Sequence, residues 1–183
     1  MKTIQVMKTS IKIMAMMLSI IAVAFGTASC GENDNDPLDV KSVNVEYSLE
    51  LGQTWYDFYD IDVTYYDQAG KENTLRVTEK WSYGFSVKPN VAPRNYRFIV
   101  VATPKNVLPK INGDQYVLSE NIVGKFYGIR YDGSTYQELW SDLHPYTLTE
   151  TDVLTFSADQ FKDYLEGGSR KLMDFNKTFD GKY

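Results

Sequence analysis

The sequence predicts an all-β fold, an immunoglobulin-like antiparallel β-sandwich with one short late helix. Three observations predict it. Apolar and polar residues alternate with period two along several runs, the pattern of half-buried strands. Glycine and proline turns part these runs at roughly 10–15-residue spacing, as in sandwiches. Helical signals gather at one place only, after Ser157.

Val43, Val45, Tyr47, Leu49 and Leu51 share one face of the first run, with Asn44, Glu46, Ser48 and Glu50 on the other. Gly52-Gln53 breaks it. The following run, from Trp55 to Asp67, is taken as a second strand, with Tyr59, Ile61, Val63 and Tyr65 on one face. Asp67-Gln68-Ala69-Gly70 is a turn, because glycine takes the positive φ that closes a hairpin. The chain returns over 73–88. Leu75 and Val77, then Trp81, Tyr83, Phe85 and Val87, alternate, and Glu79 on the apolar side predicts a bulge or break near Thr78–Lys80.

Pro89 and Pro93 bracket a loop, since proline lacks the donor a sheet ladder needs. Arg94–Thr103 carries Tyr96, Phe98, Val100 and Ala102 on one face, and Ile99 and Val101 on the other. Apolar residues on both faces predict a central strand. Pro104–Asp114 is loop. Tyr116–Tyr131 is strand, with Gly124 and Gly128 marking bulges or close backbone approach, and Asp132-Gly133 turns it. Ser134–Thr151 has no clean period and is expected to be an irregular loop, of the kind that often carries function. Ser157-Ala158-Asp159-Gln160 is a capping box. Phe161, Tyr164 and Leu165 follow at helical spacing until Gly167-Gly168, and Leu172–Phe179 is expected to add a last strand.

Upstream of this domain the chain is of another kind. Residues 1–12 hold Lys2, Lys8 and Lys12 and no acid, and Ile13–Phe25 is an uncharged apolar block. A basic start, a short apolar block and small residues after it make a signal peptide. The block is shorter than the roughly 20 residues that span a bilayer. Gly26-Thr27-Ala28-Ser29 then leads to Cys30, the only cysteine. Small residues before a cysteine resemble a lipobox, in which the thiol is acylated and the leader is cut just before it. Thr27 stands where that pattern prefers Leu. Ordinary cleavage after Gly26 or Ala28 is the alternative. A lone cysteine in an exported chain needs an explanation, which acylation supplies. The expected division is therefore a lipoprotein signal peptide at 1–29, a tether at 30–40 and a sandwich domain at 41–183.

The tether after Cys30, GENDNDPLD, has four acids and no base, and buries no apolar face. It resembles the acidic export signal of surface lipoproteins in Bacteroides-group bacteria. That resemblance covers about ten residues and implies an outer-membrane lipoprotein exposed on the cell surface, its membrane partner held through the acyl chains on Cys30. No family resemblance extends over 41–183.

Composition narrows the function classes. Removing 1–29 takes three of the 19 basic residues and none of the 24 acids, leaving 16 against 24 and a formal charge of −8. Such a surface disfavours nucleic acid and anionic membranes as partners. One histidine and one cysteine supply no zinc set. Calcium has only the outward Glu46, Glu50, Asp60 and Asp62 to draw on, which Arg76 and Arg97 can neutralise instead. Ser141, Asp142 and His144 have the names of a triad but lie too close in sequence to converge on one atom. No phosphate loop occurs. No cofactor, metal or catalytic residue is expected.

Fourteen tyrosines and three tryptophans, all after the leader, offer stacking faces for sugars. Trp55, Tyr136 and Trp140 are the candidate ligand-binding residues, because they lie at a strand start or in the irregular loop, whereas Trp81 fits the core. The leading expectation is a non-enzymatic surface binding module, with a glycan or a surface protein as partner. An adhesin or pilus-type subunit that pairs strands with another protein is the alternative, favoured by an open edge at 43–51 or in the tail. A hydrolase is the third reading and requires a cleft with convergent carboxylates.

Overall fold

The computed structural model describes residues 36–136 and 146–178. Its first strand, β1 (Val40–Leu51), buries Val43, Val45, Tyr47, Leu49 and Leu51, the five residues that alternate in the sequence. Gly52 interrupts the strand, and a one-turn helix follows, α1 (Gln53–Phe58). This helix replaces the strand start expected at Trp55. Its i, i+3 spacing places Trp55 and Phe58 on one buried face. β2 (Tyr59–Tyr66) and β3 (Glu72–Val77) form the expected hairpin, whose turn is closed by Gly70 at φ 71° and tied by Asp67 to the backbone of Ala69 and Lys71.

The disruption expected near Thr78–Lys80 is a strand break. There the chain leaves one sheet and enters the other as β4 (Trp81–Val87). After a 3₁₀ turn at Pro89–Val91 it crosses back as β5 (Asn95–Pro104). β5 lies between β2 and a later strand, the central position that its two apolar faces predict. β6 (Gln115–Arg130) returns to the first sheet, and the two-residue β7 (Thr135–Tyr136) pairs with its end. The glycine reading holds at Gly128, where a Cβ would come within 3.0 Å of the Tyr136 Cβ.

β8 (Tyr146–Ser157) is a long strand antiparallel to β6, in a stretch where the irregular segment was expected to run on to Thr151. The Ser157 capping box then starts α2 (Ala158–Glu166), with Ser157 and Gln160 each bonding the other's backbone. β9 (Arg170–Thr178) is the expected last strand and buries Met173 and Phe175. The result is two antiparallel sheets. β4-β1-β6 forms one, with β7 and β8 both on the far edge of β6. β3-β2-β5-β9 forms the other. This all-β sandwich, consistent with the immunoglobulin-like class expected, encloses a core rich in aromatic rings. Tyr47 sits at its middle, within 4.9–6.5 Å of the rings of Tyr65, Tyr83, Phe98 and Phe126.

Candidate functional site

Each long side of a sandwich is closed or left open by whatever its edge strands turn inward. On one side, edge strand β4 turns in Trp81, Tyr83 and Phe85. Of these half-buried rings, Trp81 and Tyr83 pack on Tyr65 at 5.1 and 4.7 Å, Trp81 also on Phe98 at 6.3 Å, and Phe85 on Tyr83 at 6.1 Å. They close that side and present no free stacking platform.

The opposite side, between edge strands β8 and β9, is built differently. On β6 the inward face reads Leu118, Glu120, Ile122: the apolar period continues on both sides, but Glu120 takes a core position. On β8, Leu154 and Phe156 pack against the core, and period two puts Asp152 and Glu150 on that same face. Register sets Asp152 directly opposite Glu120, and Glu150 opposite Ile122. From the other sheet, Arg170 lies opposite the buried Ala102 and so turns inward too. These side chains, with Tyr164 of α2 and the start of β9, line a groove of about 530 Å³.

Charge in the groove is unbalanced. The Arg170 guanidinium donates to the Tyr164 carbonyl at 2.6 Å and lies 3.6 Å from the Tyr164 ring centroid. It thus caps the C-terminal end of α2, where a cation is favoured. Lys171 pairs with Asp174 at 2.6 Å. Among the described residues, Glu120, Glu150 and Asp152 have no ion pair. Burial, then the charges of Asp152 and Glu150, push the Glu120 carboxyl up to about 7. Glu120 therefore holds a proton near neutrality that an ordinary glutamate has already lost.

That shift predicts a pH-dependent stability. An acid whose pKa is higher folded than unfolded destabilises the fold as pH rises through the window between the two, here from 4.5 to about 7. Glu120→Gln removes the penalty. Screening at this half-exposed site limits the gain to about 1–2 kcal/mol. Urea unfolding is expected to show the variant more stable than the parent at pH 8 and equal to it at pH 4. An equal difference at both pH values would rule out the titration.

The residues predicted from sequence fall elsewhere. Trp55 is 1% exposed, and its ring packs 4.9 Å from that of Tyr59. It is a core residue with no face for a ligand, a correction that follows from α1 turning it inward. Tyr136 is half-buried on β7, with the Arg130 guanidinium 5.1 Å from its ring centroid. Trp140 and the Ser141, Asp142, His144 cluster lie outside the described residues. The outward acids are neutralised by side chains. Arg76 bridges Asp60 and Asp62 at 2.9 and 3.1 Å, Lys80 holds Glu50 at 2.6 Å, and Glu46 lies 3.7 Å from the Lys125 ammonium and accepts from the Tyr127 hydroxyl at 2.7 Å. Arg97 pairs with Glu72. β1 and β2 belong to different sheets, so these acids do not form one face. Among the described residues no group of three His, Cys, Asp or Glu comes together to hold a metal ion.

Sequence reasoning missed Glu120, Glu150, Asp152 and Arg170. For Glu120 a signal exists, an acid in register with Leu118 and Ile122. For the edge-strand alternative, 43–51 is not an edge, being paired on both sides by β4 and β6. β9 is an edge, but a register shift at Val100/Val101 and the lysines at 171 and 177 blunt it against strand addition. Compared with known proteins, the chain matches no family model, no curated protein and no solved structure.

Proposed function

We propose that the chain is a lipid-anchored binding module of the outer cell surface, that its ligand is a glycan held in the groove between β8 and β9, and that it does no chemistry on that ligand. The groove itself carries this reading. Carboxylates, a phenol and a guanidinium facing one space of about 530 Å³ offer the mixture of acceptors and donors that sugar hydroxyls pair with. It replaces the aromatic platform, for which Trp55 is unsuited. The leader, Cys30 and the acidic tether support the location.

Two experiments test it. A ligand that binds only the folded state raises the melting midpoint, by about 2.7 kcal/mol of stability at a hundred times its dissociation constant. The full-length chain in detergent, melted against a panel of oligosaccharides, is expected to respond to at least one, and the response is expected to be lost in Asp152→Asn with Glu150→Gln. No response to any sugar would favour a protein partner. For the anchor, metabolic labelling with a fatty-acid analogue is expected to vanish in Cys30→Ser; labelling that persists would sink the acylation.

A further inference from the structure

We propose that the end of the sandwich where β1 begins is a membrane-docking face, which recognises the lipid phosphates of the bilayer that holds the Cys30 acyl chains. This rests on the lipid anchor proposed above and not on the glycan. Register and packing define the end. Val40 opposes Arg130, Val43 opposes Val87, and Asn95 opposes Thr178. A Cβ on Gly70 would touch Pro93 at 3.4 Å, which brings the β2-β3 turn to the same place. The segments 36–41, 67–71, 88–95, 130–134 and 177–178 therefore share this end.

Chain length says what it meets. Pro37 and Asp39 accept the backbone N–H groups of Asp132 and Tyr131, so the chain is fixed to the domain from Pro37 onwards. Cys30 lies seven residues before Pro37. Even fully extended, that stretch reaches at most about 25 Å. An acylated Cys30 thus keeps this end beside the bilayer surface. The opposite end, with α1 and α2, begins a full strand away, roughly 40 Å along the 12 residues of β1.

Chemistry says how the end fits that surface. The chain as a whole is acidic, but its charge is unevenly spread. In the five segments Lys41, Lys71, Lys88, Arg94, Arg130 and Lys177 stand against four acids, Asp36, Asp39, Asp67 and Asp132. Asp36, Asp67 and Asp132 accept backbone N–H groups of their own turns. Lys41, Lys88, Arg94 and Lys177 are exposed and, among the described residues, in no ion pair. Bases so placed are drawn to lipid phosphates, and the draw is confined to the surface they touch. By contrast α1 and α2 carry Asp57, Asp159, Asp163 and Glu166 against the single base Lys162. Leu38, Val91 and Tyr131 are exposed at the basic end. Apolar and amphipathic side chains of this kind settle at the boundary of headgroups and acyl chains. Docked this way, the groove beside α2 is held away from the bilayer and open to ligands from outside.

The test uses the full-length acylated chain in vesicles of phosphatidylcholine and phosphatidylglycerol. Two variants each add one labelled cysteine at an exposed position, Asn90→Cys at the basic end and Asn106→Cys in the loop beside α1. Lipids spin-labelled at the headgroup quench a fluorophore only at close range. The label at 90 is expected to be quenched severalfold more than the label at 106. Lys41→Glu combined with Lys88→Glu and Arg94→Glu, checked by its melt, is expected to abolish the difference. Equal quenching at both positions would overturn the inference. So would a difference that survives the triple variant, since the tether alone would then account for it. Vesicles that retain the chain while neither label is quenched would leave the anchor standing and refute the docking face. A chain that takes no fatty acid at Cys30 and does not float with vesicles would remove the anchor and the docking face together.

Discussion

Trp55→Ala is expected to destabilise the fold by about 3–5 kcal/mol, the range for truncating a large buried aromatic residue. A domain of this size has only about 5–15 kcal/mol in hand, so the variant will unfold at a much lower urea concentration. Trp55 is 1% exposed and packs against Tyr59 in the angle that α1 makes with the sandwich. Its indole N–H has no hydrogen-bond partner. Trp55→Phe therefore loses packing but also removes an unpaired buried donor, and should cost distinctly less. A ligand platform behaves the other way round, since an exposed tryptophan changes stability by less than about 0.5 kcal/mol when truncated. Urea midpoints of the two variants decide between core and platform, with no ligand needed.

The error at Trp55 shows where the sequence becomes hard to read. Strands whose inward residues are all apolar are legible from period two alone. β1 and β5 come out with their buried faces as expected, and Phe161 and Leu165 are the two buried residues of α2. α1 is six residues long, too short to display a 3.6-residue period, and its aromatics favour strand by propensity. Gly52 ends β1 but says nothing about what comes next.

β8 fails to read for a different reason. Its inward face runs through Glu150 and Asp152, while its outward face carries Val153, 63% exposed. Exposed acids on the face of Leu154 and Phe156, and an apolar residue on the other, break the pattern by which strands are recognised. The residues that hide the strand are the ones that make the groove. Fold and candidate site were therefore unequally legible because core residues obey burial statistics, and these carboxylates break them. Glu120 alone interrupts the apolar face of a readable strand, but Glu150 lies in a stretch that reads as loop and Asp152 directly after it. Arg170 is brought inward by the ladder with β5, whose register no local pattern encodes.

The groove also depends on α2, and this gives the second large effect. Phe161→Ala is expected to cost about 3–5 kcal/mol and to abolish the oligosaccharide response proposed for the groove. Phe161 is fully buried and is the helix's main anchor. Its ring lies parallel to that of Tyr116, within 4° and 4.5 Å between centroids, and meets Phe58 edge-on at 4.9 Å and 89°. Through these contacts it ties α2 to both β6 and α1. One turn on, Tyr164 forms the groove wall and supplies the carbonyl and ring on which Arg170 rests. If Phe161 is lost, the helix has Leu165 as its remaining buried anchor. Arg170 then loses its seat and becomes free to swing towards the carboxylates of the groove. Hydrogen exchange separates this local effect from general weakening. In Phe161→Ala the α2 amides should exchange far faster than those of β1 and β5, whereas in Trp55→Ala protection should fall across the sandwich. Uniform loss in both variants would mean that α2 is not a separate support for the groove. Phe161→Leu, which keeps an apolar anchor, should retain most of the helix's protection and show whether binding follows the helix or the aromatic ring itself.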